Sequence, residues 1–189
     1  MILYENMLPE ELANKIEETL LGAFFAWYYT PFTAYGQNFT TPTTQDSPQF
    51  THGFYAGGVV NSFYHDQFVL PILDLLPEEY SMNTLIRAKA NLINLNQGYP
   101  EGFHNTPHAD QADKDTTSLI YYVNESDGDT LFFEEMPEDF KGNVTIAQRY
   151  TPKRNSGVMF NSRRLHTSVP PRKTNARVVL NLVFENKGV

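Results

Sequence analysis

The chain has 189 residues, 41% of them hydrophobic and 14% aromatic, a net charge of -8 and no cysteine. That length and apolar content suffice to bury one full-sized core, so a single domain over residues 1–189 is expected. The missing cysteines exclude disulfides, thiolate metal sites and a cysteine nucleophile, and leave nitrogen and oxygen to hold any metal. The most apolar run, Leu20 to Tyr29, contains Gly22 and falls well short of the roughly 18 residues a membrane span needs. No basic region leads into an apolar stretch at the N-terminus, so no secretory signal is visible and a cytoplasmic protein without membrane contact is expected.

Pro9 to Leu21 reads as a helix. Pro9 suits a first helical position, Glu10 and Glu11 complement the N-terminal dipole, Leu12, Ile16 and Leu20 recur on one face, and Gly22 can end it. Residues 30–58 are rich in Thr, Pro, Gln and Gly and are expected to form a loop, with at most a short strand near Phe54, suited to a lid. Asn61 to Leu76 reads as helical, with Pro71 marking a break or the first turn of a second short helix before Pro77. Residues 1–83 would therefore be helices and loops that support a core in 84–186.

From residue 84 the pattern changes to short apolar or alternating runs separated by Gly, Pro, Asn and Asp. Eight strands are expected: Arg87 to Asn96, a short one at Pro107 to Asp110, Ser118 to Asn124, Thr130 to Glu134, Val144 to Ala147, Ser156 to Phe160, His166 to Val169, and Arg177 to Glu185. A mainly β fold follows, a double-stranded β-helix (jelly roll) with N-terminal α-helices over one outer face.

Charge is uneven. Arg149 to Arg177 holds eight basic residues and no acidic one, so it carries +8 against -16 elsewhere. Such a run either faces water or draws an anionic ligand toward a site.

His108 and Asp110 are two apart, so on an extended strand they leave the same face. By itself the motif is weak, because about 0.6 such matches arise by chance in a chain of this composition. His166 and Arg177 add chemistry. Two imidazoles and one carboxylate suit a non-haem iron(II) that keeps positions open for a bidentate oxo-acid and dioxygen, and a guanidinium clamps the far carboxylate of that acid. On the last strand Arg177, Val179, Asn181 and Val183 share one face, while Val178, Leu180, Leu182 and Phe184 form an apolar opposite face. The first face is expected to line a polar cavity.

These residues, with Leu119 to Asn124 (LIYYVN), Asp127 to Phe133 (DGDTLFF), Pro152 to Phe160 and Arg177 to Phe184 in this order, resemble the Fe(II)/2-oxoglutarate-dependent oxygenases, most closely the prolyl 4-hydroxylase-like branch. The resemblance covers roughly residues 85–186. It implies His108, Asp110 and His166 as iron ligands, Arg177 as partner of the C5 carboxylate of 2-oxoglutarate, and Tyr122 as a second hydrogen bond to that carboxylate. Asp127 stands where the family commonly carries a glycine, so the turn before Thr130 is expected to differ in shape. Asn96 and Tyr99 lie where hydroxylases place a tyrosine near the iron, and with Asn181 they are the candidate substrate contacts. Loops 30–58 and 97–107 are candidates for substrate contact and gating, whereas His52, His65 and His104 are read as surface or packing histidines.

The resemblance implies an enzyme that uses Fe(II), 2-oxoglutarate and O2, with ascorbate as a possible reductant, and hydroxylates an unactivated C–H of a peptidyl, prolyl-type residue while 2-oxoglutarate becomes succinate. The alternatives are a free amino acid, another small molecule or a nucleobase as substrate, a reading favoured by the basic stretch from Arg149 to Arg177, or a jelly-roll binding module without turnover.

Overall fold

The computed structural model describes residues 1–34, 39, 46–111 and 115–186. Its strands are β1 (Ile2–Tyr4), β2 (Tyr28–Thr30), β3 (Gln49–Ala56), β4 (Val59–Val60), β5 (Leu85–Asn94), β6 (Thr116–Tyr122), β7 (Thr130–Phe133), β8 (Ile146–Tyr150), β9 (Ser156–Asn161), β10 (His166–Ser168) and β11 (Ala176–Glu185). One sheet runs β1-β9-β6-β11-β5-β3-β2, with β4 also on β3, and a second runs β10-β7-β8. All pairings are antiparallel. The expected mainly β, double-sheet architecture is present.

The alternation along β11 assigns its two faces as expected. Val178, Leu180, Leu182 and Phe184 join the main core with Leu119 and Tyr121 of β6 and Ala88 and Ala90 of β5. Helix α1 (Glu10–Leu20) closes that core through Ala13, Ile16 and Leu20, burial of the Ile16 and Leu20 side chains contributing about 1.5–3 kcal/mol each. Its polar side is tied down by Arg154, which donates to Glu10, Glu17 and Asn14. The other face of the large sheet packs on the small one through Ile120, Tyr122, Phe132, Val158, Phe160 and Val179. The space that remains between the sheets is where Arg177 and Asn181 point.

Three expectations need correction. Residues 30–58 are not a free loop: Gln49–Ala56 is an eight-residue strand, although residues 35–38 and 40–45 lie outside the described residues. The open edge of β5 recruits this polar, Thr-rich segment by main-chain bonding, with a bulge between Gly53 and Tyr55, and tertiary pairing overrides its weak local signal. The helical segment expected over Asn61 to Leu76 is shorter, a π-helical turn, His65–Val69, running into the short α2 (Leu70–Leu73), with Pro71 in the first turn of that second helix as one of the two expectations had it. The short strand around Pro107 shrinks to a single bridge, His108 opposite His166. No helix among the described residues is long and apolar enough to cross a membrane.

Candidate metal centre

His108 and His166 face each other across that bridge, each main chain donating to the other at 2.9 Å. Cross-strand partners carry side chains on one face, so the two rings come together with centroids 4.4 Å apart. Asp110, two residues on from His108, reaches the same point, and one ligand atom from each of the three lies within 4.8 Å of the others.

The protonation of the set suits a metal. Nδ1 of His108 faces the Thr106 carbonyl at 3.4 Å, and Nδ1 of His166 faces the Arg164 carbonyl at 3.0 Å. A carbonyl only accepts, so Nδ1 carries the proton and the Nε2 lone pair is free, as a metal-bound imidazole requires. Burial, with each other's charge adding to it for His108, pushes that imidazole down to about 3, and burial lowers His166 as well. Both rings are therefore neutral at pH 7, ready to bind a cation without losing a proton.

Asp110 is held as the anion. Burial alone would raise its carboxyl, but the cationic surroundings hold it well below the usual carboxylate range; since both imidazoles are neutral at pH 7, Arg87 is the foremost cause. Arg87 donates to Oδ1 at 2.9 Å, while Ser118 and Asn181 donate to Oδ2 at 2.7 and 3.1 Å. These bonds use three of about four lone-pair positions and leave the carboxylate aimed at the imidazoles, with Oδ2 3.8 Å from His166 Nε2. Two neutral imidazoles and one oriented carboxylate fit iron(II) with open positions.

Arg177 sits farther along the same pocket, 4% exposed. Nε donates to the Gly128 carbonyl at 2.8 Å and one terminal nitrogen to Thr130 Oγ1 at 2.7 Å. A side chain at position 128 would come within 2.6 Å of the Val169 carbonyl and 3.0 Å of the Arg177 stem, so glycine is what lets this contact form. No salt bridge among the described residues reaches Arg177, and the nearest carboxylate acting on it, Asp129, is paired with Arg149. A buried guanidinium without an anion fits a carboxylate ligand entering the pocket.

Tyr122 is placed one step back. Its hydroxyl bonds Thr130 Oγ1 at 2.8 Å and its ring stacks on Tyr150, so it steadies Thr130 and Arg177, while Thr130 forms the pocket wall. Asn181 lines the pocket but is occupied: it donates to Asp110 and accepts from Arg87 at 3.1 Å. Asn96 and Tyr99 line a separate cleft with Phe103, Asp127 and Arg172, away from the metal ligands. Asp127, where the resemblance led one to expect glycine, accepts from the backbone of Arg172, Lys173 and Thr174 and pins the turn that leads into β11. Segment 103–107 is buried and bonded to Ser168 and Asp46, which makes it a wall rather than a gate. His52, His65 and His104 are buried packing residues outside the ligand set.

Half of the basic stretch is paired with acidic side chains. Arg149 pairs with Asp129, Lys153 with Glu5, Arg154 with Glu10 and Glu17, and Arg163 with Glu138. Arg87, Lys89, Ser118 and Thr130 were missed from sequence, although alternation carries a signal for them: Arg87, Lys89 and Asn91 alternate with core Ala88 and Ala90, and Ser118 with core Leu119.

The sequence matches the 2OG-Fe(II) oxygenase superfamily over residues 94–185. Among curated proteins none matches. Similar solved structures include the non-heme alpha ketoglutarate dependent epimerase SnoN from nogalamycin biosynthesis (TM-score 0.57, 11% identity, 98% of this chain and 78% of that one). A Trichoplax adhaerens prolyl hydroxylase in complex with a hypoxia inducible factor peptide fragment gives TM-score 0.57 at 14% identity, over 98% of this chain and 83% of that one. A Pseudomonas putida prolyl-4-hydroxylase gives 0.55 at 16%, over 98% and 92%.

Proposed function

Because the chain belongs to the 2OG-Fe(II) oxygenase superfamily and is a 2-oxoglutarate-dependent dioxygenase, we propose that it hydroxylates an unactivated C–H of a peptidyl, prolyl-type residue. The observation that carries the reading is the shared pocket, with His108, Asp110 and His166 at one level and the unpaired Arg177 at its end. The prolyl hydroxylases among the similar structures support the peptide substrate, one of them solved with a peptide bound.

Iron bound by the three ligands, with 2-oxoglutarate and O2, supplies the oxidising power that takes a hydrogen atom from carbon, returns a hydroxyl and leaves succinate and carbon dioxide. The chain's own residues do the rest. Arg177 fixes the co-substrate by its distal carboxylate, and Thr130, held by Tyr122, keeps the guanidinium fork in plane. Arg87, Ser118 and Asn181 keep Asp110 anionic and aligned, while the Thr106 and Arg164 carbonyls fix the imidazole tautomers. Ile120 and Val179 give the pocket apolar walls that exclude water.

The test is aerobic incubation with iron(II), ascorbate and 2-oxoglutarate, following succinate with and without proline-containing peptides, and the peptide's mass. Peptide-dependent succinate with a gain of one oxygen atom is expected. Succinate formation that no peptide stimulates, but a free amino acid does, moves the substrate to the small-molecule class.

A further inference from the structure

At the level of His108 and Asp110 the pocket opens onto a broader groove of ≈ 490 Å³ over β3 and β5. Lys89 lines both spaces. In the sheet it stands between Asn181 on β11 and Gly53 on β3, and a Cβ added at Gly53 would meet nothing within 4 Å. The glycine leaves room beside the lysine where another residue would put a side chain.

No hydrogen bond or ion pair among the described residues involves the Lys89 side chain, whereas its neighbour Arg87 is bonded to Asp110 and Asn181. Asp110 is the one acidic residue among the described residues lining the groove, and its oxygens are already held by Arg87, Ser118 and Asn181. Burial, with Arg87 adding to it and Asp110 opposing, brings the Lys89 ammonium down to about 8, so it remains mainly charged at pH 7. A half-buried cation whose neighbouring carboxylate is already held by other donors gains from an arriving anion. The co-substrate is not the obvious source, because its distal carboxylate belongs to Arg177, which lies opposite Ile93, four residues farther along β5.

We propose that Lys89 receives a carboxylate that the substrate carries beside the carbon to be oxidised. The proposal rests on the hydroxylase reading above and narrows it to anionic substrates. That carboxylate comes either from the α-carboxylate of a free or C-terminal residue, or from an acidic side chain next to the oxidised residue in a peptide.

The test uses the full chain with Mn(II) in place of iron and with 2-oxoglutarate bound, titrated calorimetrically with three probes: N-acetyl-L-proline, its neutral twin N-acetyl-L-prolinamide, and N-acetyl-L-aspartyl-L-prolinamide. At least one charged probe should bind the unaltered protein about tenfold or more tightly than the neutral twin, as expected for one charge-assisted hydrogen bond, and which probe does so identifies the source. Lys89→Met should erase the preference and Lys89→Arg retain part of it. Equal affinity for charged and neutral probes, no binding of either charged probe, or a preference that survives in Lys89→Met overturns the proposal. Affinity for 2-oxoglutarate, measured on the same samples, should be unchanged in Lys89→Met, and its loss would reassign Lys89 to the co-substrate. Failure of the unaltered protein to bind 2-oxoglutarate would instead overturn the functional reading, and this proposal with it.

Discussion

Arg177→Met keeps the apolar stem of a side chain that is 4% exposed and removes its guanidinium. Two hydrogen bonds disappear, to Gly128 and Thr130, at roughly 1 kcal/mol each. Against that, the variant no longer holds a buried cation without a carboxylate, whose desolvation costs several kcal/mol. The two effects oppose, so without ligand the Tm should move by no more than about 4 °C. Ligand binding has no such compensation. At a concentration of 2-oxoglutarate one hundred times its Kd, the unaltered protein should gain about 2.7 kcal/mol. For a chain of this length that raises Tm by about 5–10 °C. Losing a buried charge-assisted pair costs about 2–5 kcal/mol, so at the same concentration the variant should gain less than about 1 kcal/mol and its Tm rise by no more than about 4 °C. Thermal unfolding with Mn(II) present, with and without 2-oxoglutarate, reads both quantities, and the Mn(II)-dependent shift shows that the metal ligands are intact. A full 2-oxoglutarate-dependent rise in Arg177→Met would refute the assignment of this pocket.

Asn181→Ala removes one donor from Asp110 and one acceptor from Arg87, and should weaken metal binding about 10–100-fold while leaving the fold intact, checked by Mn(II) titration and circular dichroism. Tyr122→Phe deletes a hydroxyl that touches Thr130 rather than the pocket, so the Kd for 2-oxoglutarate should rise less than about tenfold; a loss as large as that of Arg177→Met would make Tyr122 a direct contact. The metal-free protein should lose stability on acidification. His108 ionises near 3 when folded against about 6.5 unfolded, so between these values the unfolded chain binds more protons. That contribution is complete above pH 6.5 and is lost as pH falls toward 3, with His166 acting in the same direction. Melting curves from pH 7 to 4 in the presence of EDTA should fall less steeply for His108→Gln, and parallel curves would contradict the buried, neutral imidazole.

The strands of the core were legible because their two faces differ in chemistry. Val178, Leu180, Leu182 and Phe184 form an apolar face that belongs in a core, and the strand's alternation then puts Arg177 and Asn181 on the pocket side. The same reasoning applied to β5 would have placed Arg87 and Lys89 there, but a charged residue on a strand ordinarily faces water, and nothing local marks these as turned inward. The strand Gln49–Ala56 was illegible for a different reason. It forms because β5 has an edge to be covered, a property of the assembled sheet and not of the residues from 49 to 56. Asn96 and Tyr99 were misplaced by proximity in sequence, since the chain turns away after β5 and takes them to another cleft. The charge asymmetry is real in sequence and half cancelled in space, because Glu5, Glu10, Glu17, Asp129 and Glu138 arrive from other elements to pair with Arg149, Lys153, Arg154 and Arg163.

The bridge between His108 and His166 also bears on how the small sheet stays closed. Position 108 is joined to its partner by one pair of main-chain bonds, flanked by the Asn105 amide on the Ser168 carbonyl and the Gln111 amide on the Ser162 carbonyl, and the two residues are separated in sequence by β6 to β9. An ion bound between them would act as a cross-link that closes a long loop, restricting the chain much as a disulfide does in a protein that has no cysteine to make one. The amides of His108 and His166 should then exchange with solvent by local opening when the metal is stripped, and only by far larger openings when it is bound. Metal loading would thus govern how firmly this end of the pocket is closed as well as its chemistry.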